Sequence, residues 1–204
     1  MVKVCIIDHK LGNLTSVYNA ISSLGVEVCI SSKHEHISSA THLVLPGVGS
    51  FKSGMKNLHD LDLIDILNYE VLEKEKPILG ICLGMHLFAS TGYEGGKIKG
   101  LDWIKGSVKV MSPSKDERLP HIGWNDISLV KKSILCSGIS EPLVFYFLHS
   151  YSFILDEGVA TAVCDFSGGC VSMIESKNIF ATQFHPEKSH DIGIKIIKNF
   201  IYKS

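Results

Sequence analysis

The sequence predicts an α/β fold, a mostly parallel sheet covered by helices on both faces and built as one domain over residues 1–204. Three observations predict it. Short apolar runs alternate with amphipathic helical patterns through the first half, the order of β-α-β units. The 204 residues show no repeat, low-complexity tract or long linker, and they lie within the roughly 250 that one core can organise. Hydrophobic residues make up 45% and charged residues 20%, the balance of a globular chain with a well-buried core.

Val2 to Ile7 reads as the first strand. Asn13 is a good N-cap, and Leu14, Val17, Tyr18, Ile21 and Leu24 recur at helical spacing until Gly25 stops the helix. Glu27 to Ile30 then gives a second strand. His42 to Leu45 gives a third, which ends abruptly in Pro46-Gly47-Val48-Gly49, and Leu61, Ile64, Leu67 and Val71 mark the next amphipathic helix. Pro77 to Ile81 is the fourth strand, with a helical run from Met85 to Ser90 behind it. Beyond Gly95 the pattern changes to strands joined by turns, at Ser107 to Met111, Leu143 to His149, Ala160 to Asp165, Val171 to Glu175 and Ile179 to Phe184. These extend or flank the sheet. Ile192, Ile196, Ile197 and Phe200 share one face of a closing helix, while Gly92 to Lys99 and Ser112 to Leu119 read as loops.

Twenty basic and 21 acidic residues leave a formal net charge of -1, so no chain-wide field attracts nucleic acid or an anionic membrane. The longest apolar runs stop far short of the about 20 residues that span a bilayer, and Met1-Val2-Lys3 lacks the features of a signal peptide. A cytosolic protein is expected, with neither nucleic acid nor membrane as partner. The six cysteines (Cys5, Cys29, Cys82, Cys136, Cys164 and Cys170) form no C-x-x-C pair, and neither a metal nor a cofactor is expected.

Gly80-Ile81-Cys82-Leu83-Gly84 stands directly after a strand and before a helical run, the setting of a nucleophile elbow with cysteine in place of serine. Its glycines are needed because larger side chains clash with so tight a turn. The unpaired N–H groups and dipole of a helix start favour the thiolate, the reactive form. A free thiol is already about 3% thiolate at neutral pH, so ionisation alone gains little more than about tenfold. Without that frame Cys82 reads as an ordinary buried cysteine.

A proton-handling partner stands in Gln183-Phe184-His185-Pro186-Glu187. Pro186 holds His185 extended, and in an extended chain His185 and Glu187 point to the same side, so the carboxylate can fix one imidazole tautomer while the other nitrogen faces the thiol. Alone, such a pair is only a surface contact worth under about 1 kcal/mol. In Pro46-Gly47-Val48-Gly49 the backbone N–H groups of Val48 and Gly49 can turn toward an oxyanion, with Leu83 giving another; each such donor is worth roughly 3 kcal/mol. The bland alternative is a tight turn. His34, His36, His59 and His190 lie in polar stretches and read as solvated.

Together these motifs resemble the class I glutamine amidotransferases, and within them the branch of glutaminase subunits of imidazole glycerol phosphate synthases. Supporting segments include Gly12-Asn13-Leu14, Leu45 to Gly49 with Met55, Leu79 to Met85, Pro120 to Asn125, Phe147 to Tyr151 and Gln183 to Ser189. The resemblance implies a flavodoxin-like three-layer sandwich with a central mostly parallel sheet, and no cofactor. It implies that Cys82 attacks the glutamine amide, that His185 protonates the departing ammonia, and that Glu187 orients His185. It places Gly47, Gly49, His86 and the backbone of His149, Ser150 and Tyr151 around glutamine. Asn13, Trp124, Tyr146 and Lys188 would face a cyclase or synthase subunit in a heterodimer. That partner would use the ammonia to make imidazole glycerol phosphate and AICAR in histidine biosynthesis. Two positions depart from the family pattern: His9-Lys10 where Tyr-Gly is usual, with an expected effect on the surface offered to the partner, and His86 where glutamine is usual.

Other readings of the same residues are ammonia supply to a sugar amidotransferase of surface-polysaccharide synthesis, a non-catalytic regulatory relative, and a cysteine peptidase or stress protein with a similar elbow. The His185-Pro186-Glu187 segment speaks against the last.

Overall fold

A computed structural model describes residues 2–204. The chain runs through β1 (Lys3–Ile7), α1 (Leu14–Ser22), β2 (Glu27–Ser31), α2 (His34–Ser39), β3 (His42–Gly47), α3 (Phe51–Asp60) and α4 (Leu63–Asn68). It continues through β4 (Ile78–Cys82), α5 (Leu83–Leu87), β5 (Ala89–Gly92), β6 (Ile98–Lys99), β7 (Ile104–Val110), β8 (His121–Asp126) and β9 (Ser128–Leu129). The last elements are β10 (Val144–His149), β11 (Tyr151–Leu155), β12 (Ala160–Cys164), β13 (Cys170–Ser176), β14 (Ile179–Thr182) and α6 (His190–Lys203).

Eight strands form the central sheet in the order β2-β1-β3-β4-β14-β13-β12-β9. The pairs from β2 to β14 are parallel, and those from β14 to β9 are antiparallel. Strands β3 and β4 are buried along their whole length, as strands covered on both faces must be. Alternate side chains feed two cores. Val4, Ile6, Leu79 and Ile81 pack with α1 and α6, whereas Cys5, Ile7, Leu45 and Ile78 pack with α3, α4 and α5. Two small sheets complete the outer layers: β10-β8 packs through Phe145 and Phe147 on the α6 side, and β11-β7-β5-β6 packs through Phe153 and Val108 on the other. No helix among the described residues is long and apolar enough to cross a membrane.

The second half both extends and flanks the sheet. The helix expected from Met85 to Ser90 stops at Leu87 because Ala89 pairs with Ile104 of β7, and Gly100 comes so close that an added Cβ would lie 2.0 Å from the Ala89 carbonyl oxygen. Part of the expected Gly92 to Lys99 loop is therefore a strand pairing between β5 and β6. Helix α3 carries a sparse stripe, Phe51, Met55 and Leu58, among polar residues, and starts where the Ser50 side chain accepts from the Ser53 N–H. The helix read over Leu61 to Val71 is α4 plus a wider π turn at Tyr69–Glu73.

Candidate active site

Cys82 ends β4 and starts α5 with φ 53° and ψ -105°, a left-handed backbone that non-glycine residues rarely adopt. Its neighbours show why the turn needs glycine. A Cβ on Gly84 would lie 1.7 Å from the Leu45 carbonyl oxygen, and one on Gly80 would lie 2.6 Å from the Phe88 ring and 2.8 Å from the Met85 nitrogen. Gly47 pairs with Cys82 in the β3–β4 register, so the Gly47-Val48-Gly49 segment leaves β3 beside the sulfur. Strand β14 flanks β4 on the other side, with Thr182 opposite Ile81. Residues 183 to 187 therefore emerge next to Cys82, at the carboxyl ends of parallel strands where open α/β sheets bind ligands.

His185 is extended, at φ -98° and ψ 95°, as expected for a residue before proline. Glu187 reaches it differently from the sequence expectation: Pro186–Lys188 form a 3-10 turn, and the curl of that turn brings the carboxylate to His185 Nδ1 at 2.8 Å. Both side chains are buried, at 2% and 3% exposure, which removes them from competition with water. Burial opposes a charge on His185, yet the Cys82 sulfur and the Glu187 carboxylate together pull its pKa up to about 10. His185 Nε2 and Glu187 Oε2 are buried without a hydrogen-bond partner.

A cavity of about 270 Å³ opens over the sulfur, lined by Val48, Gly49, Cys82, Leu83 and His86 on one side and by Leu148, His149, Ser150 and Tyr151 on the other. Glu94 also lines it and was not among the residues the sequence singled out; its Oε2 accepts from the Phe51 N–H at 2.7 Å. An acidic residue among the glycines of the segment after the elbow was the available signal. Asn125 donates to His121 Nε2 at 3.2 Å, His121 Nδ1–H then donates to His149 at 3.0 Å, and His149 Nδ1–H donates to the Tyr151 carbonyl at 2.8 Å. His121 stacks on Phe166 at 4.0 Å and on Phe147 at 4.7 Å, which fixes this chain of rings below the cavity wall.

The two departures from the family pattern take definite places. His9 is fully buried, so of His9-Lys10 only Lys10 alters the surface; His9 Nε2–H instead donates to the Pro46 carbonyl at 2.6 Å, at the root of the Gly47-Val48-Gly49 segment. His86 is buried and its Nε2 meets Gln183 Oε1 at 2.7 Å. Of the four residues expected at a partner surface, Trp124 and Tyr146 meet edge to face at 6.0 Å, and Lys188 lies over the Tyr146 ring at 5.8 Å. Exposed His190 stacks on half-exposed Trp124 at 4.8 Å. Asn13 caps α1 by accepting from the Ser16 N–H, and α1 packs against the Pro186–Lys188 turn.

Burial holds two neutral imidazoles in the site: His86 falls to about 4 and His149 to about 3, from an ordinary value of 6.5. The unfolded chain binds protons below about 6.5 that these folded groups refuse, so their stability is whole above that pH and is lost as the pH falls toward 4. His185 has the opposite sign, contributing below about 6.5 and losing its contribution as the pH rises through 10. The urea midpoint is expected to drop between pH 7 and pH 4, with a smaller drop in His86→Gln; parallel curves would contradict the assignment of His86.

The family model described as "Glutamine amidotransferase class-I" matches residues 5–204. Imidazole glycerol phosphate synthase subunit HisH 1 of Campylobacter jejuni strain RM1221 is 42% identical over 97% of this chain and 98% of its own length. The HisH subunit of Pelagibacter ubique strain HTCC1062 is 44% identical, again over 97% of this chain and 98% of its own. HisH 2 of the Methanococcus maripaludis strain is 43% identical with the same coverage. Among solved structures, a glutamine amidotransferase crystal structure superposes with a TM-score of 0.74 at 19% identity, covering 97% of this chain and 98% of the other. One from Thermotoga maritima superposes with 0.62 at 18% identity, covering 98% and 82%, and these two speak for the fold alone. With the elbow, the strand order and a full-length match all in agreement, the chain belongs to the class I glutamine amidotransferase family.

Proposed function

We propose that residues 1–204 form the glutaminase subunit of an imidazole glycerol phosphate synthase, working in the cytosol and supplying ammonia to a cyclase subunit in histidine biosynthesis. The observation that carries this reading is the strained Cys82 at the β4–α5 elbow, with the buried His185–Glu187 pair on the neighbouring strand end and a cavity above the sulfur. The names of the relatives support the choice of partner.

In the proposed reaction the Cys82 thiol passes its proton to His185 as the sulfur forms a bond to the side-chain amide carbon of glutamine, and the carbonyl π pair moves to oxygen. Backbone N–H groups of Val48, Gly49 and Leu83 receive that oxyanion; one such donor is worth about 10²–10³ in rate, more than thiol ionisation can supply. His185 gives its proton to the nitrogen as the C–N bond breaks, which releases ammonia and leaves a glutamyl thioester. Water, losing a proton to His185, then cleaves the thioester to glutamate and free Cys82. Glu187 keeps the imidazole in the tautomer whose Nε2 faces the sulfur.

Glutamine carries an α-ammonium, and Glu94 is the carboxylate on the cavity wall that can pair with it, while the His149-Ser150-Tyr151 segment and Gly47 to Gly49 enclose the rest. Ammonia released into water would be protonated and diluted, so delivery requires a sealed interface. Trp124, Tyr146 and Lys188, with Asn13 nearby, form the surface that would meet the cyclase, which turns the ammonia into imidazole glycerol phosphate and AICAR.

The isolated subunit is expected to hydrolyse glutamine slowly and to gain about 100-fold when the cyclase and its ligand are added, through movement of the Gly47 to Gly49 segment that completes the oxyanion site. Coupled assay of glutamate release checks this. A full rate without any partner would contradict it, and a complex that releases glutamate without forming imidazole glycerol phosphate would rule out the proposed acceptor.

A further inference from the structure

Besides the Leu148 carbonyl, which accepts from Cys82 Sγ at 3.8 Å, the sulfur meets a second group that belongs neither to the elbow nor to the His185–Glu187 pair, the amide of Gln183. It is fully buried, and its Nε2 lies 3.8 Å from Cys82 Sγ, within the longer reach of a hydrogen bond to sulfur. Its place is set by the main chain: the β14–β4 register ends at Thr182 opposite Ile81, and the Gln183 N–H donates to the Ser172 carbonyl at 2.9 Å. What the backbone leaves open is which end of the amide faces the sulfur.

His86 is the partner of the amide's other end. Its Nε2 is 2.7 Å from Gln183 Oε1, both residues are buried, and the oxygen can only accept, so Nε2 carries the hydrogen. With Oε1 pinned, the NH₂ end is turned to the sulfur. Reversing the amide would require His86 to take its other tautomer, with the hydrogen on Nδ1 and Nε2 accepting from the amide, and would turn a carbonyl oxygen toward Cys82, which disfavours the thiolate.

We propose that Gln183, held in one orientation by His86, is a positioning residue that donates a hydrogen bond to the Cys82 sulfur and favours its thiolate form. The inference rests on the reading of Cys82 as the nucleophile. It also gives the departure from glutamine at position 86 a local meaning, since the imidazole is committed to Gln183 through Nε2. Burial keeps His86 neutral, so it serves as a donor over the working pH range without adding a charge. The other titratable groups around the sulfur are His185 with Glu187 from the segment after β14, His149 from the end of β10, and Tyr151 and Glu94 on the cavity wall.

The test is the pH profile of Cys82 alkylation by iodoacetamide in the full chain, read at the Cys82 peptide by mass spectrometry so that the other five cysteines do not contribute. Gln183→Met keeps length and removes the donor. It is expected to raise the alkylation midpoint by about one pH unit, a loss of about tenfold in rate below the midpoint. In the complex with the cyclase it lowers kcat by a similar factor and changes KM for glutamine by less than about threefold. His86→Leu frees the amide to reverse and shifts the midpoint in the same direction. His86→Gln keeps a donor for Oε1 and brings the midpoint back toward wild type.

A Gln183→Met profile that superimposes on wild type overturns the inference, and so does a His86→Leu profile without a shift. Should Gln183→Met fail to fold, Gln183→Leu and the His86 pair carry the same comparison. Glutamine hydrolysis that survives in Cys82→Ala would defeat the nucleophile reading itself, whereas an inactive Cys82→Ala with unshifted profiles in the Gln183 and His86 variants defeats only the role of Gln183.

Discussion

Cys82→Ala is expected to lower glutamine hydrolysis by about four orders of magnitude or more, both alone and in complex with the cyclase, while leaving the unfolding transition nearly in place. Removing a nucleophile leaves only what binding and oxyanion contacts achieve without covalent chemistry, and such losses run to about 10⁴–10⁶ in kcat. Alanine keeps the Cβ that the elbow already accommodates at φ 53°, so the fold has no reason to change. Glutamate release from labelled glutamine, measured beside a urea unfolding curve, separates the two effects. Activity within tenfold of wild type would remove the sulfur from the mechanism.

Gly84→Ala is expected to do the reverse, damaging the fold first and the chemistry through it. Helix propensity favours alanine over glycine by up to about 1 kcal/mol inside a helix, and Gly84 lies within α5. That gain is small beside the contact it creates. The new methyl would sit 1.7 Å from the Leu45 carbonyl oxygen and 2.8 Å from its carbon, both on the buried strand β3. Neither the strand nor the helix can yield without unpacking the sheet, and a loss above about 4 kcal/mol follows, in the range reserved for direct steric conflict. Gly158→Ala is the control: nothing lies within 4 Å of its added Cβ, and a change within about 0.5 kcal/mol is expected. Equal unfolding midpoints for the two variants would mean that α5 does not lie against β3 as described.

The sequence by itself determined the parallel half of the sheet, because each of its strands is a short apolar run bounded by local stop signals such as Gly25 and Pro46. It also determined the elbow, since the need for glycine around Cys82 is a steric demand of a five-residue turn. His185 before Pro186 was legible for the same reason: the proline restricts its neighbour directly. Tertiary structure alone decided features that depend on residues far apart in the chain. Strands β5, β6, β8 and β11 exist because of pairings across the fold, as between Ala89 and Ile104 or Trp124 and Tyr146, and their own alternation is broken by outward-facing Ile122, Trp124 and Ile154. Glu187 reaches His185 through a 3-10 turn instead of along an extended chain. Glu94 joins the cavity only because β5 folds back beside α3, and the orientation of the Gln183 amide toward the sulfur is set by a histidine 97 positions earlier. Local sterics act over a few residues and leave their mark on the sequence at that place, whereas burial and hydrogen-bond partners belong to the packed molecule and acquire meaning only when the sheet has closed.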